Sequence, residues 1–296
     1  MAVSEVRRQL GRFGVYIPSG VLASTPVAIL RKELARIERL GYGSVWTGET
    51  PPSVPVPSRE AFALNGLMLA ATEQLIVGAG IANISVRTPG AMHTGAATLA
   101  EAYPGRFLLG LGGQSGERPL THLSDYLDAM DEAARHVSPL PGSDYHRVLA
   151  ALGPRGHRLA RTRTDGVHPF LQPVAHTAAA RAASGPDPLV IPHQAITLDA
   201  NAEAARSLLR TVFDLGAGAP DSPYVTNHRR LGYSETEIAE RSDRLMDDLL
   251  AWGDETAVIA RLHAHLDAGA DHVLIHPFAS GLSHAVDQLE RLAPLR

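Results

Sequence analysis

The strongest constraint on this 296-residue chain is a regular alternation of short apolar runs with longer segments of helical period. The runs Phe13–Ile17, Ser44–Thr47, Leu75–Ala82, Arg106–Leu111, Arg147–Ala151, Gly166–Phe170, Leu189–Ile196 and His272–His276 read as strands. Between them, helices are expected over Thr25–Leu40, Arg59–Thr72, Ala91–Ala102, Pro119–His136, Pro154–Arg163, Ala175–Ala183 and Ala200–Phe213. More follow at Ser234–Leu250, Asp254–Ala268 and from Ser280 onward. Alternation of this kind implies parallel strands joined by crossover helices. Eight such units, at roughly 250 residues per closed ring, predict an α/β fold, a single (β/α)8 TIM barrel over residues 1–296. The stretch 216–253 opens on Gly216-Ala217-Gly218-Ala219-Pro220 and breaks the rhythm, so it reads as a helical insertion after strand 7.

A weak internal repeat agrees with this reading. Ile37-Glu38-Arg39-Leu40-Gly41-Tyr42-Gly43-Ser44-Val45-Trp46 has the form of His265-Leu266-Asp267-Ala268-Gly269-Ala270-Asp271-His272-Val273-Leu274. In each, an amphipathic helix ends at a glycine able to take positive φ, and a buried strand follows. Asp254 is placed to cap the helix after it.

Composition removes several chemistries. The chain has no cysteine, which excludes disulfides, thiolate nucleophiles, zinc ribbons and iron–sulfur clusters. Its one lysine, Lys32, sits on an amphipathic stretch, so neither a P-loop nor a Schiff-base lysine is expected. A net charge of −4 argues against non-specific nucleic-acid binding. Met1 to Leu10 is polar and lacks a signal-peptide core, and no run of about 18 apolar residues exists. A cytoplasmic protein is the expectation.

In a barrel, function lies at the C-terminal strand ends. Those ends carry Gly112-Gly113, Leu152-Gly153-Pro154, His168, His193 and His276. Proline at the first helical position after glycine marks a helix start, whose free amides suit an anion. Arg155 is the arginine best placed to reach that anion. His168, His193 and His276 read as walls of the pocket, able to bond a ligand or relay a proton. Neither Gly78-Ala79-Gly80-Ile81-Ala82-Asn83 nor Gly110-Leu111-Gly112-Gly113 has the spacing of a dinucleotide fingerprint. The histidines are not spaced as metal ligands on a strand end, and no metal is expected.

Three stretches, Gly78-Ala79-Gly80-Ile81-Ala82-Asn83-Ile84-Ser85-Val86-Arg87-Thr88-Pro89, Gly105–Gly112 and Asn227-His228-Arg229-Arg230-Leu231-Gly232-Tyr233, carry a resemblance. The chain resembles the luciferase-like monooxygenase superfamily, in particular its actinobacterial coenzyme F420-dependent oxidoreductases. The resemblance implies a deazaflavin at the barrel mouth. It implies a bulge, often with a cis peptide, at Ala82, Asn83 and Ile84, with the Asn83–Ile84 bond as the place to look. It also implies phosphate binding at Leu152-Gly153-Pro154, with Gly166 and Val167 continuing that wall. The acid and base that sugar-phosphate dehydrogenases of the superfamily carry after strands 2 and 4 are replaced here, by Glu49 and by Gln114 or Ser115. The expected catalytic set is therefore Glu49, His168 and His276. The expected reaction is hydride transfer between F420 and a small organic substrate, in a homodimer. Alternatives are an FMN-dependent monooxygenase and a flavin-binding relative without catalysis.

Overall fold

A computed structural model describes residues 2–51, 56–113, 117–136, 144–213, 219 and 222–295. Its strands are β1 (Phe13–Tyr16), β2 (Ser44–Thr47), β3 (Ile76–Asn83), β4 (Phe107–Gly112) and β5 (His146–Leu149). They continue with β6 (Gly166–Val167), β7 (Leu189–Val190), β8 (His193–Thr197), β9 (Leu250–Trp252) and β10 (Val273–Pro277). All pairings are parallel, in the order β7-β6-β5-β4-β3-β2-β1-β10-β8-β9. The eight expected strands are all present. The seventh is divided into β7 and β8 at Ile191-Pro192, where proline has no N–H to give to a ladder. On one flank of this segment the Ile191 N–H bonds the Val167 carbonyl. On the other, the Pro192 carbonyl accepts from the Leu274 N–H. The first strand of this order, β7, and the last but one, β8, therefore lie on one chain segment.

The helices up to the seventh strand are α1 (Val3–Leu10), α2 (Ser19–Ser24), α3 (Val27–Arg39), α4 (Ala61–Ala70), α5 (Pro89–Ala102), α6 (Pro119–His136), α7 (Pro154–Arg163) and α8 (Val174–Ser184). After it come α9 (Ala202–Val212), α10 (Pro223–Arg230), α11 (Glu235–Ala239), α12 (Asp243–Leu249), α13 (Glu255–Asp267) and α14 (Leu282–Leu292). The repeated half-unit has the same ending twice. Gly41 and Gly269 follow α3 and α13 with φ of 79° and 100°, as C′ glycines. Asp254 caps α13 by accepting from the Ala257 N–H at 2.8 Å.

The polar N-terminus is a structural part. Val6 and Leu10 of α1 join Ile76, Leu108, Val148, Leu189 and Leu274 in the sheet's interior cluster. The Leu10 carbonyl oxygen lies 1.8 Å from where a Cβ on Gly43 would stand, so only glycine admits this closure. The expected helix Ser234–Leu250 is two helices and a strand. Ser234 and Glu237 form a capping box at α11, and Ser242 caps α12, so a second start signal interrupts the first helix. Leu250 then leaves α12 and pairs with Ala195 of β8. Most of the opening of the expected insertion, Gly216 to Gly218 and Pro220, lies outside the described residues.

Candidate functional site

A cleft of about 530 Å³ opens at the C-terminal ends of β4 and β5. Its floor is Gly113 and the run Leu149–Gly156, and its roof is Pro223, Tyr224, Thr226 and Arg230 of α10. Gly153 is the N-cap of α7 and Pro154 its first residue, as expected from the sequence. No side chain caps this end, so the amides of Arg155 and Gly156 are free of helical acceptors. The loop is braced from beneath. His157 Nε2 donates to the Ala151 carbonyl at 3.1 Å, and His176 Nε2 donates to the Leu152 carbonyl at 2.8 Å. Burial lowers both imidazoles, His176 to about 4, so they are neutral at neutral pH. Both carbonyls thereby have a donor of their own beneath the loop.

Two guanidiniums complete this end. Arg155 and Arg230 are exposed and have no ion-pair partner among the described residues. Arg230 Nη1 lies 2.8 Å from where a Cβ on Gly153 would be, so the glycine makes room for the arginine. Free amides at a helix start with two unpaired arginines form a receptor for an anion.

On the neighbouring side, β3 departs from its register against β4 between Ala79 and Ala82. The cis peptide is Gly80–Ile81, not Asn83–Ile84 as expected. Here the sequence expectation was displaced, because the register shift falls before Ala82, and Ala82 and Asn83 are back in ladder with Leu111 and Gly112. Glu49 grips this bulge from both ends. Its N–H donates to the Ile81 carbonyl, and its Oε2 accepts from the Asn83 N–H, each at 2.9 Å. The same carboxylate takes both Arg87 Nη groups, one at 2.8 Å. Arg87 also bonds Glu60, lies over the Phe62 ring, and accepts at its carbonyl from Tyr126. Glu49 is thus a buried, fully bonded carboxylate.

The opposite wall of the interior is imidazole. His168, His193 and His276 stand around Tyr16, at ring-centroid distances of 6.4, 5.1 and 5.3 Å. His168 Nδ1 donates to the Ile191 carbonyl at 2.9 Å. Its Nε2 is left enclosed and without a partner beside Gly80. His193 Nε2 and His276 Nδ1 are 2.7 Å apart. Burial pulls His168 to about 4 and His276 to about 3, and burial together with the neighbouring imidazoles lowers His193. Burial pushes the Tyr16 phenol up, so it stays protonated.

The expected residues therefore fall into three groups. Gly113, Leu152, Gly153 and Arg155 line one cleft. Gly112 adjoins it through Ala150 and pairs with Asn83, while Ala82, Asn83 and Ile84 are buried beside that pairing and are not among the residues that line the cleft. Gly166 and Val167 are enclosed within the sheet, paired with Val148 and Leu149, and do not line the cleft. Gln114 and Ser115 lie outside the described residues. A larger cavity, about 700 Å³, lies between α9 and α14 and contains none of the expected residues. Tyr16, Trp46, Tyr224 and Arg230 were not expected. Strand parity would have found the first two, since Tyr16 and Trp46 face inward at the ends of β1 and β2. Arg230 has no such signal, because only the packing of α10 brings it to Gly153.

Residues 12–272 match the sequence profile of the family described as luciferase-like monooxygenase. A Mycobacterium tuberculosis protein, provisionally named a coenzyme F420-dependent oxidoreductase, is 26% identical over 154 residues. That match takes in 48% of this chain and 40% of the relative, so it spans less than half of either. Among solved structures, an F420-dependent secondary alcohol dehydrogenase bound to an F420–acetone adduct superposes with a TM-score of 0.70 at 18% identity, covering 96% and 98% of the two chains. The coenzyme F420-dependent tetrahydromethanopterin reductase of Methanopyrus kandleri gives 0.67 at 14% identity, covering 96% and 99%. At these identities the two structures speak for the fold.

Proposed function

The chain belongs to the luciferase-like monooxygenase family, and from that premise we propose that it is an oxidoreductase moving a hydride between coenzyme F420 and a small organic substrate. The observation that carries the reading is the uncapped start of α7 at Gly153, which with Arg155 and Arg230 lines a cleft that Gly113 joins to the end of β4, the strand paired with the β3 bulge. The relative of M. tuberculosis, whose name specifies F420, favours the deazaflavin over FMN.

In this reading the amides of Arg155 and Gly156, with Arg155 and Arg230, hold the cofactor phosphate. Asn83, Ile84, Gly112 and Gly113 form the wall beside its ring, and the aromatic floor around Tyr16 excludes water. The bound cofactor supplies the hydride donor or acceptor, and the chain supplies position and hydrogen bonds. Glu49 acts as a buttress of the bulge, with both carboxylate oxygens already accepting from Arg87 and one also from the Asn83 N–H. Segment 189–197 serves as the seventh strand of a closed (β/α)8 barrel over 1–296. The helices α10 to α12 are its insertion, with α10 as a cover over the cleft. Among the described residues no helix is long and apolar enough to cross a membrane. A cytoplasmic homodimer belongs to the same proposal, and light scattering at twice 31.5 kDa is its check.

The deciding experiment is an absorbance-difference titration with F420 and with FMN. F420 is expected to bind in the micromolar range, and FMN not to compete. Micromolar FMN binding without F420 binding overturns the reading and favours the monooxygenase. Persistence of the reduced cofactor in air separates the same pair.

A further inference from the structure

The hydrogen bonds at the imidazole wall have a direction. The Leu171 backbone N–H points to His193 Nδ1 at 3.3 Å, and an amide only donates, so Nδ1 is an acceptor. A neutral His193 then carries its proton on Nε2, which donates to His276 Nδ1 at 2.7 Å. His276, also neutral, must carry its own proton on Nε2. Among the described residues nothing bonds that nitrogen, and His276 keeps 6% of its surface exposed where His168 keeps 1%. The chain Leu171 → His193 → His276 thus ends on one N–H at the C-terminal end of β10, between Tyr16 and Phe278.

We propose that His276 is the catalytic hydrogen-bond donor to the oxygen of a small uncharged aldehyde or ketone, and that His193 is the positioning residue that fixes its tautomer. The inference rests on the hydride-transfer reading above. A neutral donor framed by aromatic rings suits an uncharged carbonyl better than a carboxylate or phosphate, which would call for a cation there. In the reaction the carbonyl carbon gains a hydride, its π pair moves to oxygen, and the oxygen takes a proton from solvent. The balance is carbonyl plus anionic reduced F420 plus one proton from solvent to alcohol plus oxidised F420. His276 keeps its proton throughout and stabilises the charge that develops on oxygen, as a neutral imidazole can. Each bond in the series polarises the next, so His193 strengthens the donor it orients.

Two measurements test this. Long-range 1H–15N spectra of the protein without cofactor should show both rings neutral and protonated at Nε2 from pH 7.5 to 5.5. His193→Phe should release His276 to exchange tautomers, and His193→Gln, whose amide can donate to Nδ1, should restore the wild-type spectrum. An Nδ1-protonated or charged His276 in the wild type overturns the proposal. The second measurement is turnover of a panel of small aldehydes and ketones with reduced F420. His276→Phe should lower kcat about 100-fold, with the F420 dissociation constant within about twofold, and His276→Gln should recover most of the rate. Turnover of His276→Phe within threefold of wild type sinks the assignment. F420 binding without reduction of any carbonyl in the panel sinks the substrate class. Absence of F420 binding sinks the reading beneath it, while the spectra still decide the hydrogen-bond chain.

Discussion

The interior of the sheet has two unlike walls. Beyond Ile76 and Leu108, the inward positions of β3 and β4 are glycines: Gly78, Gly80, Gly110 and Gly112. Just past β6 and on β8 and β10 they are histidines: His168, His193 and His276. The glycine wall works by subtraction. A Cβ on Gly78 would sit 2.1 Å from the Trp46 ring, and one on Gly110 would sit 2.1 Å from the Ala79 carbonyl oxygen. Removing side chains there lets Trp46 cross the interior and lets the bulge swing inward. The histidine wall works by addition. It places polar groups in an apolar interior and satisfies most of them through single tautomers, because burial keeps the rings neutral. One wall creates space, and the other supplies directed donors facing it.

The largest expected effect falls on the histidine wall. His168 of the wall is held at about 4 and His276 at about 3, and His272, buried before β10 between Ser44 and the Gly11 carbonyl, at about 4, against about 6.5 in the unfolded chain. Between these values the unfolded state binds more protons, so stability is complete above about pH 6.5 and falls as the pH drops toward 4. From pH 7 to 5 each ring should cost about 2 kcal/mol, or about 6 kcal/mol together, in urea unfolding. A flat profile over that range would mean that these rings are not buried neutral.

Next comes the brace of the glycine wall. Glu49→Ala leaves Arg87 buried with Glu60 alone and frees the Asn83 N–H, and should cost about 3 kcal/mol. If Glu49 were instead a general base, Glu49→Gln would remove one limb of the pH–rate profile. As a buttress, the same change should weaken F420 binding and leave the profile in place. Gly78→Ala is expected to cost about 2 kcal/mol through overpacking against Trp46. A loss below about 0.5 kcal/mol in the denaturant midpoint would show that Trp46 yields easily and that the contrast between the walls is weaker than drawn.

The smallest effect lies outside both walls. Arg230→Ala should weaken F420 about tenfold, with little change in stability, since the side chain is exposed and unpaired among the described residues. An unchanged dissociation constant would remove α10 from the anion receptor and leave Arg155 alone there.

The fold was legible because its signals are local. Strand and helix periods, the glycines at 41 and 269, the Asp254 cap and the Gly153-Pro154 helix start each depend on a few neighbouring residues, and each occurs in the structure where the sequence puts it. The family resemblance found the right strand for the bulge but the wrong peptide, because register is settled by pairing with β4. Glu49 shows the limit most clearly. A carboxylate after the second strand reads as a base until Arg87, 38 positions on, occupies its oxygens. Likewise the tautomer of His276 depends on His193, 83 positions away, and on the Leu171 amide behind it. By itself the sequence determined the repeated βα unit, the glycines that end its helices and the Gly153-Pro154 helix start, since periodicity and capping are properties of short segments. The tertiary structure alone decided which polar groups are already bonded and which remain free to act, because a hydrogen bond is set by atoms that chain order does not bring together.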